Sequence, residues 1–278
     1  MLACIAVSSM LASSACGANR RPGTPRPEVQ DELPPWMTEG EQVRLDVATK
    51  LLEQGNTISA LDIIRGMRQE GYGSGEVDLL QGKALRIDGL VDESERLLMS
   101  ADKKLKHDPR PATELCVLYA DAGRLDEAIA QCERATSIDE TSGQSWNNLG
   151  FLLLAAGRPD DALSACGEAV QLDSANPLFR NNMALAQAAV GRHEAAYQTF
   201  QSTLPRSIAA FNVGAALERF DDPEQALVYY ERALSYDPSN ADAVAARARL
   251  TSTDNDTNPS VSPAPADDAP ESPSGDTP

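Results

Sequence analysis

Small residues recur at a fixed spacing through the middle of the chain. Five glycines stand 34 residues apart, at Gly55, Gly89, Gly123, Gly157 and Gly191. Five positions after these glycines come Ala60, Ser94, Ala128, Ala162 and Ala196. Seven positions before them come Ala48, Gly82, Cys116, Gly150 and Ala184. Three sets of residues that share one spacing predict an array of structural repeats.

Each repeat has the features of a helix, a turn and a second helix. Small residues that face each other let two helix backbones approach closely, and larger side chains then fill the space around them. The glycine between them ends the first helix in a left-handed conformation. Asp92, Asp126 and Asp160 follow in the first turn of the second helix, where a negative charge complements the helix dipole. Pro159 takes an early helical position, where its missing N–H has no cost.

Residues 145–173, SWNNLGFLLLAAGRPDDALSACGEAVQLD, resemble the tetratricopeptide repeat. The signature positions of that family are occupied by Trp146, Leu149, Gly150, Leu153, Gly157, Ala162 and Ala169. The resemblance implies an all-α fold, a right-handed α-solenoid of about six helix-turn-helix units with a C-terminal capping helix. In this register the repeats are 41–74, 75–108, 109–142, 143–176, 177–206 and 207–240, and the cap is 241–250.

The fifth repeat is shortened and ends at Leu204 and Pro205. Because proline cannot continue a helix, we expect the superhelical angle to change between the fifth and sixth repeats.

The N-terminal residues 1–16, MLACIAVSSMLASSAC, are apolar but too short to cross a bilayer as a helix. They are typical of a signal peptide. The small residues before Cys16 resemble the lipobox of bacterial lipoproteins, which implies lipidation of Cys16. Ordinary signal cleavage and an unprocessed N-terminus are the alternatives, because Ser13 stands where the family prefers Leu and no basic residue precedes the apolar run.

Both flanks of the repeats differ from them in composition. Residues 17–40 are rich in proline and charge and predict an extended tether. Residues 251–278 carry acidic residues without Lys or Arg and predict a disordered acidic tail. The whole chain has 42 acidic and 24 basic residues, a formal net charge of −18, which argues against nucleic acid as a partner.

Cysteine and histidine give no sign of chemistry. Cys116, Cys132 and Cys166 allow at most one internal disulfide, and burial as small apolar side chains is the favoured interpretation. His107 and His193 have no spacing typical of a metal ligand or a general base. We also find no nucleophile with a base and no phosphate-binding loop. The sequence therefore predicts no enzyme activity, no metal, no cofactor and no small-molecule substrate.

The resemblance implies a peptide-binding groove on the concave side, lined by the first helices. In this chain the groove residues are Val117, Asn147, Asn148, Phe151, Leu154, Asn181, Asn182, Leu185, Phe211 and Asn212. Asn148, Asn182 and Asn212 could bond the main chain of an extended ligand. The alternative is that these asparagines serve the repeat itself. Thr113, Asn147 and Asn181 stand where a chaperone-binding groove needs basic residues, so that ligand is not expected.

Leader, tether and repeats together resemble two groups of envelope lipoproteins. One is the tetratricopeptide lipoprotein of tight-adherence (Flp) pilus systems, and the other is the pilotin of type IV pilus secretins. The resemblance implies a periplasm-facing outer-membrane lipoprotein with a secretin or pilus component as partner, held to the membrane by the lipid anchor alone. A general envelope adaptor for peptidoglycan enzymes or outer-membrane protein assembly is the alternative, and a substrate-recruiting module for a separate enzyme is another.

Overall fold

A computed structural model describes residues 39–256. Within these residues the chain forms thirteen helices and no strand. Their bounds are α1 Glu39–Glu53, α2 Thr57–Gln69, α3 Gly75–Ile87, α4 Val91–Lys104, α5 Pro109–Asp121, α6 Leu125–Ile138, α7 Gly143–Ala155, α8 Pro159–Leu172, α9 Pro177–Ala189, α10 His193–Gln201, α11 Arg206–Arg219, α12 Pro223–Tyr236 and α13 Ala241–Asp256. The predicted all-α fold of helix-turn-helix repeats is confirmed.

The turn inside each repeat uses a left-handed residue. Gly55, Gly89, Gly123, Gly157 and Gly191 all have φ between 71° and 77°. In the sixth repeat Asp221 takes the same role with φ 64°, although it carries a side chain. The predicted acidic residues lie in the first turns of α4, α6 and α8. Sequence signals for the helix ends are therefore confirmed.

The recurring small residues are buried, as predicted. No surface is exposed at Ala48, at Ala184 or at any of the five residues that stand five positions after the turn glycines. At Gly150, an added Cβ would clash with Cys166 Sγ and lie 3.3 Å from the backbone oxygen of Ala162. At Gly214, it would lie 2.7 Å from the ring of Tyr230. Small residues on the first helix thus make room for a larger side chain on the second helix of the same repeat.

A disulfide joins the two helices of the third repeat. Cys116 on α5 and Cys132 on α6 are bonded, with their Cα atoms 5.3 Å apart. The interpretation of these two residues as free apolar side chains is wrong. Cys116 and Cys132 lie one repeat before Gly150 and Cys166, a pair of positions that face each other, and their sulfur atoms are therefore within bonding reach. Cys166, at the corresponding position of the fourth repeat, faces Gly150 and is a buried free thiol. Burial raises the pKa of Cys166 to about 12.

The chain divides into two compact units at Leu204 and Pro205. The first unit contains α1 to α10, and each first helix after α1 packs against the second helix of the preceding repeat. The second unit contains α11 to α13, and α13 packs on α12. The division falls at the shortened fifth repeat, but the change of superhelical angle predicted there stays a prediction.

The ends of the array differ slightly from the predicted limits. Helix α1 begins at Glu39, two residues before residue 41. Helix α13 continues to Asp256, so the cap extends beyond residue 250 into the predicted tail. The predicted signal peptide, Cys16, the tether up to residue 38 and the tail from residue 257 lie outside the described residues. Of the helices between residues 39 and 256, none combines the length and apolar character needed to cross a bilayer.

Candidate peptide-binding site

The predicted groove residues of the first unit lie on α5, α7 and α9, at repeat positions 5, 6, 9 and 12. We call the side of the first helices that carries these positions the first-helix face. Exposure along this face is uneven. The most buried members, all at most 7% exposed, are Asn147, Asn148, Phe151, Leu154 and Asn182. The half-buried members are Val117, Asn181 and Leu185.

Two of the buried asparagines bond to each other. Asn182 Nδ2 on α9 donates a hydrogen bond to Asn147 Oδ1 on α7 at 2.8 Å. Asn148 Oδ1 accepts a hydrogen bond of 2.7 Å from Gln144 Nε2, one helical turn earlier. These amide groups already have partners within the repeats. This is the alternative given in the sequence analysis, in which the asparagines serve the repeat itself.

Asn181 differs from its neighbours. Its Oδ1 atom is buried and accepts no hydrogen bond from any group in the described part of the chain. A buried carbonyl oxygen without a donor costs about 1–3 kcal/mol. Leu185 lies one turn further along α9, on the same side of the helix, and is half-buried. The pair places a half-buried amide beside a half-buried apolar side chain, and an extended peptide can bind to groups of both kinds.

Charged side chains occupy the same face at α3 and α5. Glu114 accepts from both Lys83 Nζ at 3.0 Å and Arg86 Nε at 3.1 Å. Arg86 also pairs with Asp121 at 3.2 Å. Burial raises the pKa of Asp121, and the charge of Arg86 and its hydrogen bond only partly oppose that rise. The first-helix face is therefore charged at α3 and α5 and apolar with amides at α7 and α9.

Sequence reasoning missed Lys83, Arg86 and Glu114 as members of this face. The repeat spacing does place Lys83 and Glu114 at the positions of predicted groove residues. Lys83 lies two repeats before Phe151, and Glu114 lies one repeat before Asn148. Because the first two repeats match the family pattern poorly, that pattern alone does not extend the groove to α3.

The predicted residues Phe211 and Asn212 lie in the second unit, on α11, and both are half-buried. The ring of Phe211 lies 5.5 Å from the ring of Tyr230. The Tyr230 hydroxyl donates to Glu218, which also accepts from Arg249 at 2.7 Å. Burial and the hydrogen bond to Glu218 raise the pKa of Tyr230 well above its ordinary value. These contacts fix Phe211 against α12 in the second unit.

No group of three or more histidine, cysteine, aspartate or glutamate side chains within residues 39–256 could hold a metal ion.

Family models of the tetratricopeptide repeat match three stretches of the chain. One model matches residues 153–207, and a second matches residues 117–142 and 209–240. The chain therefore carries tetratricopeptide repeats, a class of helical repeat that typically serves as a non-catalytic scaffold for binding other proteins. No curated protein sequence matches the chain.

Solved structures of repeat proteins share the fold at low sequence identity. YrrB, described as a tetratricopeptide protein with an unusual peptide-binding site, is 17% identical with a TM-score of 0.54, over 66% of this chain and 97% of YrrB. PilF of Pseudomonas aeruginosa is 15% identical with a TM-score of 0.58, over 75% of this chain and 96% of PilF. A tetratricopeptide protein from Parabacteroides merdae is 14% identical with a TM-score of 0.57, over 77% of this chain and 86% of that protein. At these identities the likeness concerns the fold.

Proposed function

We propose that the chain is a non-catalytic scaffold of the bacterial cell envelope, which holds an extended segment of a partner protein on the first-helix face. The observation that carries this proposal is the pair Asn181 and Leu185, which lie one helical turn apart on α9 and are both half-buried on the first-helix face. The accessible part of the Asn181 amide would bond the main chain of a bound segment. Leu185 beside it would contact an apolar side chain of the same segment.

The charged part of the face adds specificity. Lys83, Arg86, Glu114 and Asp121 pair among themselves, so a ligand must match both signs of charge. A segment with a polar, mixed-charge end on α3 and α5 and an apolar end on α7 and α9 fits this distribution. YrrB, which shares the fold, has a peptide-binding site.

The proposed location is the periplasm-facing side of the outer membrane, with Cys16 as the lipid anchor. The disulfide supports a compartment outside the cytosol, because such bonds persist in oxidising environments. We propose a secretin or another pilus component as the partner, in keeping with the resemblance of leader, tether and repeats to pilus lipoproteins. The alternative is a general adaptor for peptidoglycan enzymes or outer-membrane protein assembly.

The test is capture of partners from solubilised envelopes with matched variants. Phe151 is buried and its substitution would disturb the fold, so the variant of choice is Asn181→Ala with Leu185→Asp. Met99→Asp, an exposed apolar position on the second helix α4, is the control. We expect the wild type and the control to recover the same pilus or secretin component and the double variant to lose it, with equal helix content in all three.

Two outcomes contradict parts of the proposal. Equal recovery by the double variant would mean that the first-helix face is not the binding site. Recovery of a transpeptidase or amidase in place of a pilus component would favour the adaptor. Intact-mass measurement of the membrane-extracted protein tests the anchor, because lipidation adds a diacylglyceryl mass to a chain that begins at Cys16.

A further inference from the structure

The outer side of the first repeat is apolar and exposed. Val43 and Val47 on α1 are 61% and 44% exposed. With Ile63 and Gly66 of α2 they line an open depression of about 280 Å³, together with Arg44 and Asp62. We call this surface the α1 outer face. Val43 and Val47 lie one helical turn apart on the same side of α1, so their side chains form one exposed apolar patch.

The same positions are buried in the later repeats. The residues that follow Val43 at intervals of 34 are Val77, Pro111, Ser145 and Phe179. Each of them is at most 3% exposed. They are covered because α3, α5, α7 and α9 each pack against the second helix of the repeat before. Helix α1 is the first helix within residues 39–256. In this part of the chain no second helix of a preceding repeat covers its outer face.

The residues directly before α1 have the composition to cover this face. Residues 17–32 are polar, charged, glycine or proline, apart from Ala18 and Val29, whereas Leu33–Met37 reads LPPWM. Only Thr38 separates this segment from Glu39, where α1 begins. Leu33, Trp36 and Met37 together offer a large apolar surface next to the helix that needs one.

The geometry allows this segment to reach the face. Val47 lies eight residues into α1, about 12 Å from Glu39 at the helical rise per residue. Five extended residues span roughly 17 Å, so a chain that turns back at Thr38 passes both valines. Pro34 and Pro35 favour an extended conformation and have no N–H group that would need a partner against an apolar surface. Asp31 and Glu32 would then come near Lys50 and near Arg44, which also pairs with Glu70 at 2.6 Å.

We propose that Leu33–Met37 folds back onto the α1 outer face and covers it, so that the array is closed at its N-terminal end by the same chain. The predicted tether would then be shorter than its sequence limits, ending near Asp31. A second copy of the chain is the competing occupant. The exposed residues of α13, the last helix, are mostly alanine or charged, with Val244 at 40% exposure among them, so this helix offers a second copy less apolar surface than Leu33, Trp36 and Met37 together.

Tryptophan fluorescence of the full chain tests the proposal. The chain has two tryptophans, Trp36 and Trp146. In a Trp146→Phe background, Trp36 is the only fluorophore of its kind. We expect its emission to be blue-shifted and protected from acrylamide quenching, relative to a free peptide of residues 30–38. Val43→Asp in this background should return both properties toward those of the peptide, whereas Met99→Asp should leave them unchanged.

Two results would overturn the proposal. One is Trp36 emission and quenching equal to those of the free peptide, with the fold intact by circular dichroism. The other is a blue shift that disappears on dilution while light scattering shows a fall from dimer to monomer mass, because the cover would then be a second copy. Neither result depends on partner capture, so the proposed function is tested separately.

Discussion

Asn182 and Asn147, 35 residues apart in sequence, form a buried hydrogen bond of 2.8 Å between the first helices of two successive repeats. Both side chains are at most 4% exposed. The bond ties α9 to α7 on the face where a ligand is proposed to lie. It also explains why these two residues are polar although they are buried, because each satisfies the other.

The first prediction concerns this pair. Asn147→Leu or Asn182→Leu should each lower the free energy of unfolding by about 1–3 kcal/mol, because the remaining amide is buried without a partner. The double substitution should cost clearly less than the sum, since no unpaired amide remains. Denaturant unfolding of the wild type, the two single variants and the double variant measures the interaction free energy between the two side chains. Strictly additive losses would mean that the two amides do not interact.

The second prediction compares two helical glycines in one repeat. Gly150→Ala should destabilise by about 1–3 kcal/mol, because the added methyl group would overlap Cys166. Gly167→Ala on α8 should instead stabilise by up to about 1 kcal/mol, because nothing lies within 4 Å of its added Cβ and alanine favours a helix. Thermal unfolding of both variants checks the signs. Similar effects in both would contradict the close packing of α7 on α8.

The third prediction concerns the disulfide. Cys116 and Cys132 are separated by 16 positions, and a loop of about this size corresponds to about 3 kcal/mol of stability in the chain-entropy account. Reductant should lower the free energy of unfolding by about that amount in the wild type and in Cys166→Ala. Cys116→Ala with Cys132→Ala should be insensitive to reductant. A wild type that is equally stable with and without reductant would refute the pairing.

The fourth prediction is a pH dependence at Asp78. Its carboxylate is 3% exposed and pairs with Arg68 and with Lys104. Burial raises the pKa of Asp78, but hydrogen bonds from Lys104, Ser100 and Arg68 outweigh burial, and the pKa lies below its ordinary value of 3.8. Asp78→Asn should cost about 2–3 kcal/mol near neutral pH.

The sign of this effect follows from the lowered pKa. The ionised group contributes its full stability above pH 3.8, and this contribution is lost as the pH falls through the lower pKa of the folded state. The difference in unfolding free energy between wild type and Asp78→Asn should therefore shrink in acid. Asp62→Asn, an exposed partner of Arg65, should change little at any pH. A difference that is constant down to acid pH would contradict this account.

The fold could be predicted because its determinants are local and repeated. The turn glycines need a left-handed conformation, and the small residues need a close neighbour, so both appear in the sequence at a fixed spacing. Asp221 is informative here, because it takes the left-handed turn position without being glycine. A rule based on glycine alone would miss that turn, whereas the helix pattern around it locates the sixth repeat.

The site could be predicted only in part. Repeat positions indicate which residues share a face, but not whether their polar atoms already have partners. Asn147 and Asn181 occupy the same repeat position in successive units, yet one is bonded to Asn182 and the other has an acceptor without a donor. That difference depends on distances between helices. The disulfide was missed for a similar reason, since the spacing of Cys116 and Cys132 does not reveal how close their sulfur atoms lie.

The covalent link between α5 and α6 lies within one repeat and joins no repeat to the next. When the chain is pulled from its two ends, each junction between repeats can open in turn, because a repeat contacts only its neighbours. The residues between Cys116 and Cys132 cannot be drawn out, since force passes through the sulfur atoms. The fully stretched chain is therefore shorter by roughly 50 Å in its oxidised form than in its reduced form.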